Sequence, residues 1–302
     1  MFKTELINSF DIKPIKLDQK VEEWKGKDIF PHRKYWNLAL LSKTGSGKTT
    51  VIFNLIKKFR DKHTIFLLFG STINIDPAYK EILKWIDSQG NEYIAEPHFL
   101  NGKEDYLKDW MHEYSHAYDD EYEDDDDDEG DTISELQQPT NVNGKWGGGP
   151  FIPFVIADKK PTKKSKEKKK IEEERKKMNF IIILDDLTRD LRHNTIEAIV
   201  KKSRHYHARV ILSSQSLKDL NPSAHTQIYA LCLFKGLSEA DLEYIFIRYA
   251  MWLKMEKFKE IYDEVIEEKK YNFLTVLPFE NELRKNLNER IILPVEPKQV
   301  KL

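Results

Sequence analysis

Closely spaced glycines followed by lysine and threonine are residue types that can bind a polyphosphate, and Thr44-Gly45-Ser46-Gly47-Lys48-Thr49-Thr50 supplies them. Gly45 and Gly47 lack a Cβ, so the backbone there can curl its N–H groups around phosphate oxygens. The Lys48 ammonium would reach the β- and γ-phosphates, and the Thr49 hydroxyl would hold Mg²⁺. The predicted cradle is Ser42, Lys43, Thr44, Gly45, Ser46, Gly47, Lys48, Thr49 and Thr50. The general pattern G-x-x-x-x-G-K-[ST] opens on glycine, and this chain has Ser42 there. That replacement relaxes the start of the turn and leaves the phosphate-facing residues intact.

Phe180-Ile181-Ile182-Ile183-Leu184-Asp185-Asp186 is a second chemical signature. A wholly apolar strand that ends in two carboxylates carries charge to the carboxyl edge of a sheet, where open α/β folds bind ligands. There Asp185 would hold Mg²⁺, largely through water, and Asp186 would orient and deprotonate an attacking water. By itself such a pair could equally be a helix cap or a turn; the phosphate loop favours catalysis. Ser213-Ser214-Gln215 closes the next apolar run, so Gln215 can sense a γ-phosphate and the lytic water together. Arg204, in Lys201-Lys202-Ser203-Arg204-His205, reads locally as a cation at a helix C-terminus.

The elements that must position these groups alternate along the chain. The stretch from Trp36 to Leu41 predicts a strand, followed by the loop and a helix through Arg60. Thr64 to Gly70 predicts a buried parallel strand, and residues 78–87 a helix. Strands are predicted at Phe180–Leu184, Arg209–Ser214, Ile228–Phe234 and Tyr271–Leu277, with a helix at 194–206. Ser238 and Asp241 resemble a capping box opening a helix that runs, with a break, to about Lys270. The fold class expected is α/β: a P-loop NTPase with a mostly parallel sheet flanked by helices. Residues 1–34 read as a lead-in broken by Pro14 and Pro31, residues 35–280 as the ATPase domain, and residues 281–302 as an irregular tail.

Inside that domain a charged low-complexity insertion is expected at about 115–178; a plain linker between two domains is the alternative. Residues 119–131 carry eleven acidic side chains and no basic one, whereas residues 159–177 carry eleven basic and four acidic. These opposed blocks dominate the net charge of −2, which therefore neither demands nor excludes a nucleic-acid partner. The lysine-rich block reads either as a DNA-contacting arm or as a solvated helix neutralised by the acidic run. The single cysteine, Cys232, excludes an intrachain disulfide and suits a reducing compartment. No apolar stretch reaches membrane-spanning length, and Met1-Phe2-Lys3-Thr4-Glu5 does not read as a signal peptide.

Strand, Thr44-Gly45-Ser46-Gly47-Lys48-Thr49, helix, then an apolar strand with Asp185-Asp186, then Arg204 eleven residues before Gln215, resembles the FtsK–HerA class of P-loop ATPases. The segment from Phe180 to about Tyr249 resembles more specifically the poxvirus-type genome-packaging ATPases of large DNA viruses, virophages and Polinton elements. Arg204-His205 and Leu237-Ser238-Glu239-Ala240-Asp241 carry that similarity, which covers residues 35–75 and 178–250. The resemblance implies ATP with Mg²⁺, a sensor strand between the Walker A and Walker B strands, and Arg204 as an arginine finger acting on a neighbour's ATP. It also implies a homo-oligomeric ring (pentamer or hexamer), double-stranded DNA as the object moved into a preformed capsid, and a capsid or portal-vertex protein as partner. No membrane partner is expected, and the location implied is the host cytoplasm or viral factory, or the virion.

Rival chemistries leave weaker traces. His112-Glu113-Tyr114-Ser115-His116 is a literal H-E-x-x-H, yet no third ligand is marked and no apolar helix face accompanies it. A P-loop kinase would need an arginine-bearing lid, for which Arg248 and Arg284 are candidates outside any recognisable lid. Another ATP-driven DNA translocase or helicase remains the nearer alternative. A scaffold that holds nucleotide without turnover fits poorly with an intact Lys48, Thr49, Asp185 and Asp186 set.

Overall fold

The computed structural model describes residues 23–43, 45–101, 104–110 and 178–293. The strands are β1 (Asn37–Leu41), β2 (Thr64–Gly70), β3 (Tyr93–Glu96), β4 (Leu100–Asn101), β5 (Glu104–Asp105), β6 (Asn179–Asp185), β7 (Ala208–Ser214), β8 (Ala230–Phe234), β9 (Phe273–Leu277), β10 (Glu282–Lys285) and β11 (Glu289–Arg290). The helices are α1 (Lys48–Phe59), α2 (Pro77–Ser88), α3 (Asn194–Lys202), α4 (Glu239–Tyr249) and α5 (Met255–Glu268). Among the described residues, one sheet takes nine strands in the order β11-β10-β9-β8-β1-β7-β6-β2-β3, and β4 and β5 form a separate small hairpin. The stretch from β8 to β3 is parallel, and β9, β10 and β11 add antiparallel pairs at one side.

Parallel strands buried on both faces need continuous apolar runs, and β1, β6, β7 and β8 are buried along their whole lengths. Alternation sorts their side chains into two layers. Leu38, Leu40, Ile181, Ile183 and Ile211 pack against Ile52, Ile56 and Phe59 of α1 and Ile82 and Ile86 of α2. Ala39, Leu41, Ile182, Leu184, Val210 and Leu212 face Ile196 and Ile199 of α3, Ile245 of α4 and Phe258 of α5. Each such aliphatic side chain contributes about 1.5–3 kcal/mol by leaving water. Cys232 is fully buried in the first layer; burial pushes its thiol up to about 12, which leaves it inert.

Register brings the chemistry to one edge. Asp185 pairs with Ser213 on β7 and with Gly70 on β2, while Leu41 pairs with Ser214. The ends of β1, β7 and β6 are therefore level, with β7 between the other two, as the resemblance implied. The opposite edge is closed by the buried Arg209, whose guanidinium donates to the carbonyls of Lys34 and Phe59 and to Asn179 Oδ1.

Several expectations needed correction. The predicted 194–206 helix ends at Lys202, because the chain turns through His207 at φ 47° to enter β7. The last predicted strand starts at Phe273, because Tyr271 takes φ 77°. The tail expected to be irregular contains β10 and β11, whose charged side chains conceal strand pairing. Glu282 there bonds both Arg284 and Arg290. The half-buried β3 was missed for want of a long apolar run. The predicted break in the long helix falls between Tyr249 and Met255, and Ser238 does cap α4 by accepting from the Asp241 N–H at 3.1 Å. No helix among the described residues is long and apolar enough to cross a membrane. The acidic run, the lysine-rich run and His112–His116 all lie outside the described residues.

Candidate active site

The phosphate loop is strung between β1 and α1. The Ser42 N–H donates to the Ser214 carbonyl at 3.0 Å, which fixes the loop's first residue to the neighbouring strand. The buried Ser42 hydroxyl bonds the Lys43 carbonyl and meets the Ser46 hydroxyl, tying the loop across its neck where the general pattern has glycine. Gly45 and Gly47 take φ of 78° and 97°, backbone that L side chains rarely adopt. A Cβ on Gly47 would also lie 3.2 Å from Cδ1 of the Tyr271 ring. Helix α1 starts at Lys48 with no side-chain cap and no acidic residue in its first turn. Its N-terminal N–H groups and partial positive charge are thus offered to an anion.

Lys48 is only 6% exposed, and its ammonium lies 3.2 Å from the Ser42 carbonyl and 3.1 Å from Asp186 Oδ1. Thr49 is half-buried in the first turn of α1, Thr50 is exposed, and Lys43 is exposed with its stem against Gly236. Thr44 lies outside the described residues.

Asp185, the last residue of β6, is 5% exposed. Its Oδ2 accepts a 2.6 Å hydrogen bond from the hydroxyl of Tyr79, on α2. Its Oδ1 is buried without a hydrogen-bond partner among the described residues, and the buried Ser213 hydroxyl lies beside the carboxylate. A carboxylate oxygen left this way at a phosphate loop fits Mg²⁺ and its waters, for which Thr49 offers a hydroxyl in the first turn of α1. Burial pushes the Asp185 carboxyl above its ordinary value and the Asp186 charge adds to this, while the adjoining Ser213 hydroxyl, Tyr79 and Lys48 pull it back. Burial and the Asp185 carboxylate hold the Tyr79 phenol well above its ordinary value, so at neutral pH it is a constant donor. Tyr79 was not foreseen: its only local signal is a place in the first turn of a helix capped by Asp76.

Asp186 takes φ 51°, with its N–H on the Ser213 carbonyl at 3.1 Å and its carbonyl accepting from the Ser71 hydroxyl. Strand β7 and the turn after β2 thereby hold the residue that carries the second carboxylate. Gln215 is exposed just past β7. The serines flanking it are anchored, Ser214 to Asp219 and Ser216 to Asp241 on α4, so the loop that presents Gln215 is fixed at both sides.

Arg204 is not brought to this group. It is exposed in the turn before β7, at the opposite edge of the sheet, and its side chain makes no hydrogen bond or ion pair with a described residue. The seven residues of β7, at about 3.3 Å each, separate it from its own phosphate loop by roughly 20 Å. The kinase-lid candidates are placed elsewhere too. Arg248 lies on the Tyr244 ring, and Arg284 is held by Glu282 and the carbonyls of Ile29 and Leu287. Among the described residues, no group of three or more His, Cys, Asp or Glu side chains is gathered to hold a metal.

A phosphate cradle, a buried carboxylate and a second carboxylate on the cradle's lysine make a site equipped to cleave a nucleoside triphosphate with water. Residues 155–300, just under half of the chain, match the family model described as Poxvirus A32 protein. This half of the chain is poxvirus A32-like. The matched span contains Asp185, Asp186, Arg204, Gln215 and Tyr271, whereas the phosphate loop precedes it. Among solved structures, the chain is similar to B204, the DNA-packaging ATPase from Sulfolobus Turreted Icosahedral Virus. That match has 15% identity and a TM-score of 0.47, covering 86% of this chain and 98% of that one. The genome packaging NTPase B204 from Sulfolobus turreted icosahedral virus 2, in complex with ATP-gammaS, matches at 14% identity and a TM-score of 0.44, covering 84% and 98%. The cytoplasmic domain of the Type VII secretion ATPase EccC from Thermomonospora curvata matches at 13% and 0.42, covering 87% of this chain and 26% of that one. No protein of curated function matches the sequence. The structural similarities are too distant to assign chemistry, which rests on the residues themselves.

Proposed function

We propose that this chain is the Mg²⁺-dependent ATPase of a motor that drives double-stranded viral DNA into a preformed capsid. The observation that carries the catalytic part is the Lys48 ammonium 3.1 Å from Asp186, with the buried Asp185 next in sequence. A γ-phosphate drawn to Lys48 arrives beside Asp186, the carboxylate that orients the attacking water and takes its proton, while Gln215 senses the γ-phosphate. Gly45, Gly47 and the start of α1 hold the phosphates by their N–H groups, and Thr49 and Asp185 hold the metal. Mg²⁺ held by these two residues would supply positive charge against the negative charge that develops on the phosphates. The A32-like half supports duplex DNA as the object moved and, with it, a ring of five or six subunits and a capsid or portal-vertex partner. Arg204, out of reach of its own loop, acts on a neighbour's ATP. Residues 35–280 form the ATPase domain, extended by the β10–β11 hairpin, and the site of action is the infected cell's cytoplasm or viral factory, or the virion.

Steady-state phosphate release by the purified chain, measured across protein concentration with and without duplex DNA, tests this. Turnover per subunit should rise with both. Turnover indifferent to both would overturn the motor and leave a solitary P-loop hydrolase. DNA stimulation without any capsid-dependent DNA uptake would favour another translocase or helicase.

Tyr79 permits a separate check on the metal assignment. Tyr79→Phe removes the phenolic donor to Asp185 Oδ2, and stability should fall by about 1–3 kcal/mol. The Mg²⁺ needed for half-maximal nucleotide binding should rise about tenfold. Thermal unfolding and a Mg²⁺ titration of ATPγS binding read these two effects. A destabilised variant with unaltered Mg²⁺ demand would make Tyr79 a core residue only.

A further inference from the structure

Tyr271 is 56% exposed, yet its ring lies against Gly47 of the phosphate loop. Its φ of 77° is a conformation that bulky side chains rarely adopt. Neighbouring bonds impose it. The Asn272 N–H donates to the Lys269 carbonyl at 3.1 Å, and the Phe273 N–H to Asn286 Oδ1 at 3.2 Å. Asn286 in turn donates to Asn272 Oδ1. An aromatic side chain is thus pinned at the carboxyl edge of the sheet, beside the phosphate loop, with a large part of its surface open to solvent.

The sheet order indicates what that ring meets. Strand β6, which ends in Asp185 and Asp186, lies two places from β1 on one side, and β9, which follows Tyr271, lies two places from β1 on the other. Lys48 leans toward Asp186, so the γ-phosphate end of a nucleotide points to the β6 side. Its α-phosphate and nucleoside then leave the loop on the β8–β9 side. Two strand spacings amount to about 10 Å, within the length of a nucleoside. The Lys270 ammonium, 4.9 Å from the ring centroid, adds a cation beside this path.

We infer that Tyr271 is the platform on which the nucleotide's base stacks, an assignment that rests on the phosphate site proposed above. Stacking uses the π-face that every base has, so the platform supplies affinity for the nucleoside without reading hydrogen-bonding groups. The triphosphate is held by the loop, and the base by Tyr271.

Equilibrium binding of ATPγS and of inorganic tripolyphosphate, each with Mg²⁺, to the full chain and to Tyr271→Ala and Tyr271→Phe separates these contributions. The alanine variant should bind ATPγS about tenfold more weakly, the usual scale for losing one stacked base. It should bind tripolyphosphate as the unaltered chain does, and the phenylalanine variant should bind both normally. Retained tripolyphosphate binding also reports that the loop in the alanine variant is still folded. A parallel loss of both ligands would make the ring a mere support for Gly47, and no loss of either would place the base elsewhere; each overturns the platform. Failure of the unaltered chain to bind tripolyphosphate would strike the phosphate site itself and the platform with it.

Discussion

Replacing Lys48 with alanine is expected to lower ATP turnover by about 10³-fold or more, the scale of removing a preorganised charge from a developing phosphoryl transition state. The ammonium is buried on the loop side, and its partners among the described residues are the Ser42 carbonyl and Asp186. Both attractions position it where the loop's N–H groups and the second carboxylate converge. The fold should tolerate the change, because Asp186 keeps 28% of its side chain in contact with solvent and water can replace the lost cation. Phosphate release, nucleotide binding and thermal unfolding measured together separate the two effects. Turnover within tenfold of the unaltered chain, in a folded variant, would remove Lys48 from the chemistry and with it the hydrolase reading.

Arg204→Ala should leave ATP binding intact and cut turnover by about 10³, the scale of losing an arginine finger. Two arginines near β7 make the contrast. Arg209 is buried and its guanidinium is spent on Lys34, Phe59 and Asn179, so it holds the sheet edge. Arg204 is exposed without a side-chain partner among the described residues, so its loss should change stability by no more than about 0.5 kcal/mol. Because roughly 20 Å separates it from its own loop, the finger proposed above would act across a subunit boundary. Mixing Arg204→Ala with Lys48→Ala chains provides the decisive measurement. An Arg204→Ala subunit retains a whole phosphate loop, and a Lys48→Ala neighbour retains a whole finger, so mixed assemblies should recover part of the activity. No recovery at any mixing ratio would return Arg204 to the role of a surface cation.

Local order along the chain was enough to find the phosphate loop, the strand that ends in Asp185 and Asp186, and the run before Gln215. Glycines flanking a lysine and apolar runs of strand length are signals confined to a few residues, and burial on both faces demands the same composition wherever such strands lie in the sheet. The order β1-β7-β6 came from resemblance and agrees with the observed sheet. Other features depended on contacts between distant segments. Tyr79 meets Asp185 across 106 positions, and Lys48 meets Asp186 across 138. The ring of Tyr271 reaches Gly47 only because β8 and β9 are laid beside β1. Charged strands β10 and β11 escaped notice because ion pairs satisfy side chains that composition alone assigns to a loop. The placement of Arg204 at the far edge follows from the direction of β7. Residue type and spacing decide which chemistry is available and which element carries it; parallel register and strand order decide which groups meet, because those depend on pairing between segments that no local pattern encodes.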